Sequence, residues 1–281
     1  MNGRALVLGG GGVTGIAWEL GILKGLLDGG VDLSGADLIV GTSAGSVVGS
    51  QVTTARELDE LVAAQRPSEP AARELGAAFD LEQLAAAFAE LIQGAQSPRE
   101  VRARIGAMAL SAATVPEAER LAVIESALPR HDWPDRRLLI TAVDTATGDP
   151  AVWDRDSGIP LVLAVAASCA VPGVWPPMTI NGHRYMDGGV RSGTNLDLAA
   201  GHEVVVILAP IVGSLAGSLD DEITSLGPEA KVVVIAPDDA TLEAVGPNPL
   251  DPSRRGPALA AGLAQAATFL DVVHDVWTSR Q

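Results

Sequence analysis

The 281-residue sequence is short of several things at once: it has one cysteine, four histidines, nine aromatic residues amounting to 3%, and 19 Lys and Arg against 35 Asp and Glu. The single cysteine, Cys169, excludes an intrachain disulfide and a cysteine-based zinc site, and it fits a reducing compartment, so a cytoplasmic location is expected. So few aromatic rings leave no stacking platform for single-stranded nucleic acid. The net charge of −16 repels nucleic acid and anionic headgroups and keeps a chain soluble. Long apolar runs are lacking too. ALVL at 5–8 gives way to glycines, too soon for a signal peptide. The uncharged stretch from Ile159 to Gly182 is broken by Pro160, Pro172, Pro176 and Pro177, so no transmembrane segment is expected.

What remains is a folding composition, 47% hydrophobic and 19% charged. A chain of this length buries roughly 75% of its unfolded surface, so it needs no disulfide or metal to hold it. The core must come from Ala, Val, Leu and Ile. Short apolar runs alternate with helical patterns: ALVL, a helix from about Ile16 to Leu27, DLIV at 37–40, and another helix. Further strand candidates are RLLITAV at 137–143, EVVVIL at 203–208 and KVVVIA at 231–236. Unbroken apolar strands alternating with helices predict one α/β domain over 1–281, a three-layer sandwich with a central, mostly parallel sheet and helices on both faces. Residues 55–130 carry helical spacing and no strand pattern, which predicts a helical insertion over one end of the sheet, either scaffold or a lid. Two proline-rich loops, Arg66–Pro70 and Gly246–Pro257, are candidate mobile segments. Leu259, Leu263, Ala266, Leu270, Val273 and Trp277 form one apolar stripe on a last helix. That stripe suits packing on the sheet, with transient membrane contact as the lesser alternative.

The strongest chemical signal is LIVGTSAGS, in which an apolar strand enters Gly41, Thr42, Ser43, Ala44 and Gly45 and then a helix. This is the strand, sharp turn and helix that a GxSxG elbow requires, with small residues where strand and helix close in on a strained serine. GGGGVTG follows the first strand, and its Gly10, Gly12 and Gly15 also satisfy GxGxxG. A dinucleotide site would need an acid at the far end of the second strand, whereas Asp37 lies at its beginning. Bare backbone N–H groups beside a nucleophile would instead make an oxyanion hole. A serine needs a base, yet His131, His183, His202 and His274 all sit in surface-like settings. Asp187 has the better setting: Asn181-Gly182 predicts a type I′ turn, HRYMD the return strand, and Gly188 and Gly189 follow.

GGGGVTG, GTSAGS and MDGGV in this order, with ASCAVPGVWPPM at 167–178, resemble the patatin-like phospholipase family over about residues 5 to 210. That resemblance implies a serine acyl hydrolase with a Ser/Asp dyad and no cofactor or metal. Ser43 would be the nucleophile and Asp187 the base. Gly10, Gly11 and Gly12 would supply the oxyanion hole, and Gly15, Gly41, Gly45, Gly188 and Gly189 would support the motifs. The substrate would be an acyl lipid or another ester. The family commonly has Arg or Lys where this chain has Thr14, so a positive charge near the glycine loop is missing. Three alternatives stay open: a histidine-based hydrolase, a dinucleotide-dependent oxidoreductase and a catalytically weak lipid-binding relative.

Overall fold

The computed structural model describes residues 3–54, 57–65, 81–211 and 219–278, without the side chains of 81–85. In chain order it runs β1 (Arg4–Leu8), α1 (Gly12–Asp28), β2 (Leu38–Gly41) and α2 (Ala44–Thr53). Four helices follow, α3 (Leu58–Ala64), α4 (Leu81–Ile92), α5 (Pro98–Ser111) and α6 (Glu117–Ala127), with no strand between them among the described residues. Next come β3 (Arg137–Asp144), β4 (Pro150–Trp153), α7 (Leu161–Ser168), β5 (Met178–Ile180) and β6 (His183–Asp187). After them stand β7 (Val204–Leu208), α8 (Leu219–Ser225), β8 (Lys231–Ile235), α9 (Asp239–Val245) and α10 (Arg255–Thr278).

The strands form one eight-stranded sheet in the order β5-β6-β3-β2-β1-β7-β8, with β4 paired to β3 off this path. From β3 to β8 the neighbours are parallel; β4 and β6 run antiparallel to β3, and β5 antiparallel to β6. This is the expected α/β sandwich. Strand alternation divides the core: Leu6, Leu8, Ile39, Ile140, Val206 and Leu208 pack with α1, α2, α7 and α10. Ala5, Val7, Val40, Val205 and Ile207 pack with α8 and the short 3-10 turn Leu196–Ala199. Both faces are therefore apolar, which explains the uninterrupted VVVIL run of β7.

α10 lies along α1, and glycines permit the close approach. A Cβ on Gly25 would stand 2.5 Å from the Ala266 Cβ. The Trp18 indole N–H donates to Gln265 Oε1 at 2.9 Å across this interface. By length and composition alone α10 could cross a membrane. Its predicted stripe is buried at Leu259, Ala266, Val273 and Trp277, packed into the same core as α1.

Two expectations need correction. α1 begins at Gly12 rather than near Ile16, because the Pro249 carbonyl accepts the Thr14 N–H at 3.1 Å and satisfies a first-turn donor from outside the helix. The same contact pins the loop Gly246–Pro257. Leu250 N–H donates to Asn248 Oδ1 and Ser253 N–H to Asp251 Oδ1, each at 2.9 Å, so local turns hold a segment whose prolines suggested mobility. The other such loop, Arg66–Pro70, lies outside the described residues. β4 had no sequence signal, being four residues that start with proline. The insertion covers one end of the sheet, where Ile105 and Ala109 of α5 pack on Val143 and Met186.

Candidate active site

The site is assembled where parallel strands end. β1 and β2 are neighbours in register, Leu8 opposite Gly41, so the glycine loop and the serine turn emerge side by side. The chain proceeds from β1 to β2 and β3 on one side, with β7 and β8 on the other, and such a switch in strand order opens a crevice at the C-terminal ends.

Ser43 has φ 51°, left-handed backbone that a non-glycine residue adopts only when its surroundings force it. The forcing groups are visible. A Cβ on Gly45 would overlap the Leu8 carbonyl, and one on Gly41 would lie 2.7 Å from the Gly45 carbonyl oxygen, so strand and helix meet only through glycines. Ser43 N–H donates to Ser168 Oγ at 2.9 Å, and its carbonyl accepts from Ser46 Oγ at 2.6 Å and Cys169 Sγ at 3.3 Å. The strand, sharp turn and helix expected around GTSAGS are present, with Ser43 at the start of α2.

Asp187 arrives by a route that strand patterns do not reveal. One edge of β3 carries β4, from Ile140 to Val143. The other carries β2 as far as Ile140 and then, past the end of β2, carries β6 from Ala142 to Asp144. β6 therefore abuts β2 end-on. Its last residue, Asp187, stands opposite Ala142, just beyond the strand that delivers Ser43. The turn before it has the predicted form, with positive φ at Asn181 (50°) and Gly182 (82°). Gly188 is obligatory because a Cβ would press on the Thr141 carbonyl at 2.6 Å.

Asp187 Oδ1 accepts the Gly189 N–H at 2.7 Å, whereas the buried Oδ2 has no hydrogen-bond partner. Burial pushes this carboxyl up to about 6, with the Ser43 hydroxyl, the Gly189 N–H and the Arg120 charge pulling the other way. The serine is close enough to favour the carboxylate, yet no formed bond reaches Oδ2, a looseness common before substrate binds. Cys169, beside the elbow, is also buried and its thiol is pushed up to about 12.

The glycine loop needs one revision. Gly10 N–H donates to the Gly193 carbonyl at 2.8 Å and is not free for an oxyanion. Gly11 and Gly12 keep their N–H groups without an acceptor among the described residues. Gly12 has φ 60°, and a Cβ there would lie 2.6 Å from the Pro249 oxygen. A Cβ on Gly10 would sit 3.6 Å from the Ser43 Cβ, which places the loop directly beside the serine. Gly15 serves the packing of α1 on α2, its absent Cβ falling 3.5 Å from that of Ala44.

None of the four histidines lines the cavity above Ser43. His183 pairs with Asp144 at 2.9 Å, and His202 Nδ1 bonds the Ala199 carbonyl. Asp37 accepts the Arg4 N–H at 2.8 Å at the start of β2, at the opposite end of that strand from the glycine loop. Among the described residues no group of three or more His, Cys, Asp or Glu could hold a metal ion.

The cavity measures about 370 Å³ and is walled by α3 and α6 as well as by the sheet end, so the insertion contributes to the site. A family model described as patatin-like phospholipase matches residues 6–200. The chain belongs to the patatin-like phospholipase family. Membership supports a lipid hydrolase activity. Among solved structures the chain is similar to VipD from Legionella pneumophila, at 13% identity and TM-score 0.49, over 97% of this chain and 67% of that one. It is also similar to the type III effector protein ExoU, at 17% identity and TM-score 0.40, over 95% of this chain and 53% of that one. It therefore spans about two thirds of the first and about half of the second. No curated protein matches it.

In this member of the patatin-like phospholipase family several residues around Ser43 and Asp187 escaped the sequence. Buried Asn195 donates through Nδ2 to Thr42 Oγ1 at 3.0 Å and to the Ser192 carbonyl at 2.8 Å, and it reaches the Gly188 carbonyl at 3.4 Å. It thereby ties the residue before Ser43 to the residue after Asp187. Arg120 of α6 and Arg255 of α10 line the cavity, although an EAER segment reads as a solvated helix face.

Proposed function

We propose that this chain hydrolyses carboxylic esters of acyl lipids through a covalent acyl-enzyme on Ser43. The observation that carries the proposal is the pairing of a forced φ of 51° at Ser43 with a buried Asp187 carboxylate whose Oδ2 is unpartnered. Asp187 takes the hydroxyl proton through Oδ2 while Ser43 Oγ attacks the acyl carbonyl. Gly189 N–H, bonded to Oδ1, keeps the carboxylate turned to that task. A carboxyl near 6 is ionised at neutral pH yet more basic than an ordinary aspartate, which suits a general base. Gly11 and Gly12 N–H groups receive the oxyanion, helped by the Ala44 N–H at the start of α2. Loss of one such donor typically costs about 3 kcal/mol of transition-state stabilisation. As the tetrahedral species collapses, the alcohol leaves with the proton from Asp187. A water deprotonated by Asp187 then attacks the acyl-serine, and Asp187 returns that proton to the departing Ser43 oxygen as the acid is released.

The test is labelling by a fluorophosphonate probe, with Ser43→Ala and Asp187→Asn alongside and folding verified for each. Labelling of the wild type that both substitutions abolish is the expected result. A folded wild type that stays unlabelled and hydrolyses no acyl ester overturns it. Fatty-acid binding in that case would leave a lipid-binding relative without turnover.

A further inference from the structure

The segment from Ser192 to Asn195 touches both halves of the site. The Gly193 carbonyl accepts the Gly10 N–H at 2.8 Å and so sets where the next two N–H groups of the glycine loop, those of Gly11 and Gly12, stand. Asn195 donates to Thr42 Oγ1 at 3.0 Å and reaches the Gly188 carbonyl behind Asp187 at 3.4 Å. The segment belongs to no helix or strand, and Asn195 has φ 52°, backbone that a non-glycine residue keeps only when it is held. Arg191 pairs with Asp197 at 2.6 Å and closes its ends. Inside it, Ser192 Oγ accepts the N–H groups of Thr194 and Asn195 at 3.2 and 2.7 Å. The Ser192 hydroxyl itself donates to the Glu222 carboxylate, 2.7 Å from Oε1 and 2.8 Å from Oε2, and Thr194 Oγ1 donates to Glu222 Oε2 at 2.9 Å. Ser192 and Thr194 are buried, so their hydroxyls need an acceptor, and a carboxylate makes the stronger, charge-assisted bond. Glu222 stands on α8, which packs through Ile223 on the sheet face opposite to α2, and it does not line the cavity.

We propose that Glu222 is a positioning residue for the reaction, holding the Ser192–Asn195 segment so that the Gly11 and Gly12 N–H groups and the Asp187 carboxylate keep their places about Ser43. The influence runs from Glu222 through the two hydroxyls to Gly193 and Gly10 on one side, and to Asn195, Thr42 and Gly188 on the other. It acts from behind the sheet, without touching substrate. A displacement near 1 Å at such a site can cost about a hundredfold in rate. The role rests on the hydrolysis proposed above, but the hold on Gly10 can be measured without any turnover.

The experiment compares Glu222→Ala and Glu222→Gln with the wild type in the full chain, by amide hydrogen exchange followed by NMR and by hydrolysis of a soluble nitrophenyl acyl ester. The control lies one residue away: Gly9 N–H donates to the Leu208 carbonyl at 2.9 Å and owes nothing to Gly193. In Glu222→Ala the Gly10 amide should exchange about tenfold faster relative to Gly9. Over the same substitution kcat should fall about ten- to a hundredfold, with KM within about twofold. Glutamine keeps an acceptor for Ser192 and an N–H for the Thr194 oxygen, so Glu222→Gln should restore both readouts to within about threefold of wild type. Gly9 and Gly10 quickening together would mark a general loss of stability and overturn the positioning role. A folded Glu222→Ala protein with wild-type Gly10 exchange and kcat overturns it as well. Where the alanine variant does not fold, Thr194→Val, which keeps the shape and removes one of the bonds, should give the same pattern at about three- to tenfold. A wild type that hydrolyses nothing, with the Gly10 response intact, would remove the catalytic reading and leave the hold on the loop; hydrolysis without the Gly10 response would remove the positioning role alone.

Discussion

Asp187 is 5% exposed, and burial carries its carboxyl from the usual 3.8 to about 6. The folded chain therefore holds this proton more tightly than the unfolded chain does. The sign follows from linkage: the stability contributed by this group is complete below about pH 4 and is lost as pH rises through about 6. A change of that size corresponds to about 3 kcal/mol, so an ionised Asp187 is an energetic burden on the fold at neutral pH. Asp187→Asn removes the titration while leaving an Oδ1 to accept the Gly189 N–H. The stability of the variant minus that of the wild type should therefore widen by about 2 to 3 kcal/mol between pH 4 and pH 8. Urea unfolding at both pH values measures the gap, and Glu19, which titrates in both proteins, cancels from it. The same substitution should abolish fluorophosphonate labelling, so stability and activity move in opposite directions. Parallel stability curves from pH 4 to pH 8 would mean that Asp187 ionises without cost in the fold, and the argument for a tuned base would fail.

Gly45→Ala forces a Cβ onto the Leu8 carbonyl and should leave little soluble folded protein, whereas Gly10→Ala places its Cβ at an ordinary 3.6 Å from Ser43 and should keep a near wild-type Tm while slowing turnover by crowding the serine. A normal Tm for Gly45→Ala would contradict the packing described for the elbow. Asn195→Gly tolerates the φ of 52° but loses the side-chain bonds to Thr42 and Ser192, so urea unfolding should show a loss of about 2–3 kcal/mol, with kcat reduced in the folded fraction. An unchanged kcat would show that this tie does not position the site. Glu19 is fully buried with both carboxylate oxygens unpartnered, and burial raises its pKa well above the usual value, with the Gly9 backbone opposing this in part. Glu19→Met should therefore stabilise the chain by about 1–3 kcal/mol at pH 8 and by less at pH 4, because the stability that a raised carboxyl contributes below its unfolded pKa is lost as pH rises above it; a destabilised variant would contradict this.

Much of this architecture was legible because local sterics demand particular residues. Strands covered on both faces must be apolar throughout, and VVVIL says so without help from its neighbours. A serine forced to positive φ between strand and helix needs glycine at 41 and 45, and the motif records that need. What stayed hidden depends on groups far apart in sequence. The Gly193 carbonyl occupies the Gly10 N–H, and the Pro249 carbonyl advances the start of α1. β4 is a short strand held by pairing with β3 rather than by its own pattern. Arg120 carries no motif of its own, because only the tertiary fold brings its helix face to the cavity that Ser43 also lines.

The proposed pair is held by main-chain register rather than by a loop. β2 fixes where Ser43 emerges, and β6 fixes Asp187, both through hydrogen bonds to the same edge of β3. Side chains alternate along a strand, so a slip of β6 by one residue would put Met186 where Asp187 stands and turn the carboxylate to the opposite face. The hairpin guards against such a slip: Asn181 and Gly182 fix the β5–β6 register at one end, and Gly188, pressed on Thr141, fixes β6 at the other. Asn195 then joins the two ends from below. The Gly189 N–H sets the direction of this carboxylate and burial sets its basicity. The insertion adds walls to the cavity beside Ser43 through α3 and α6, neither of which enters the sheet.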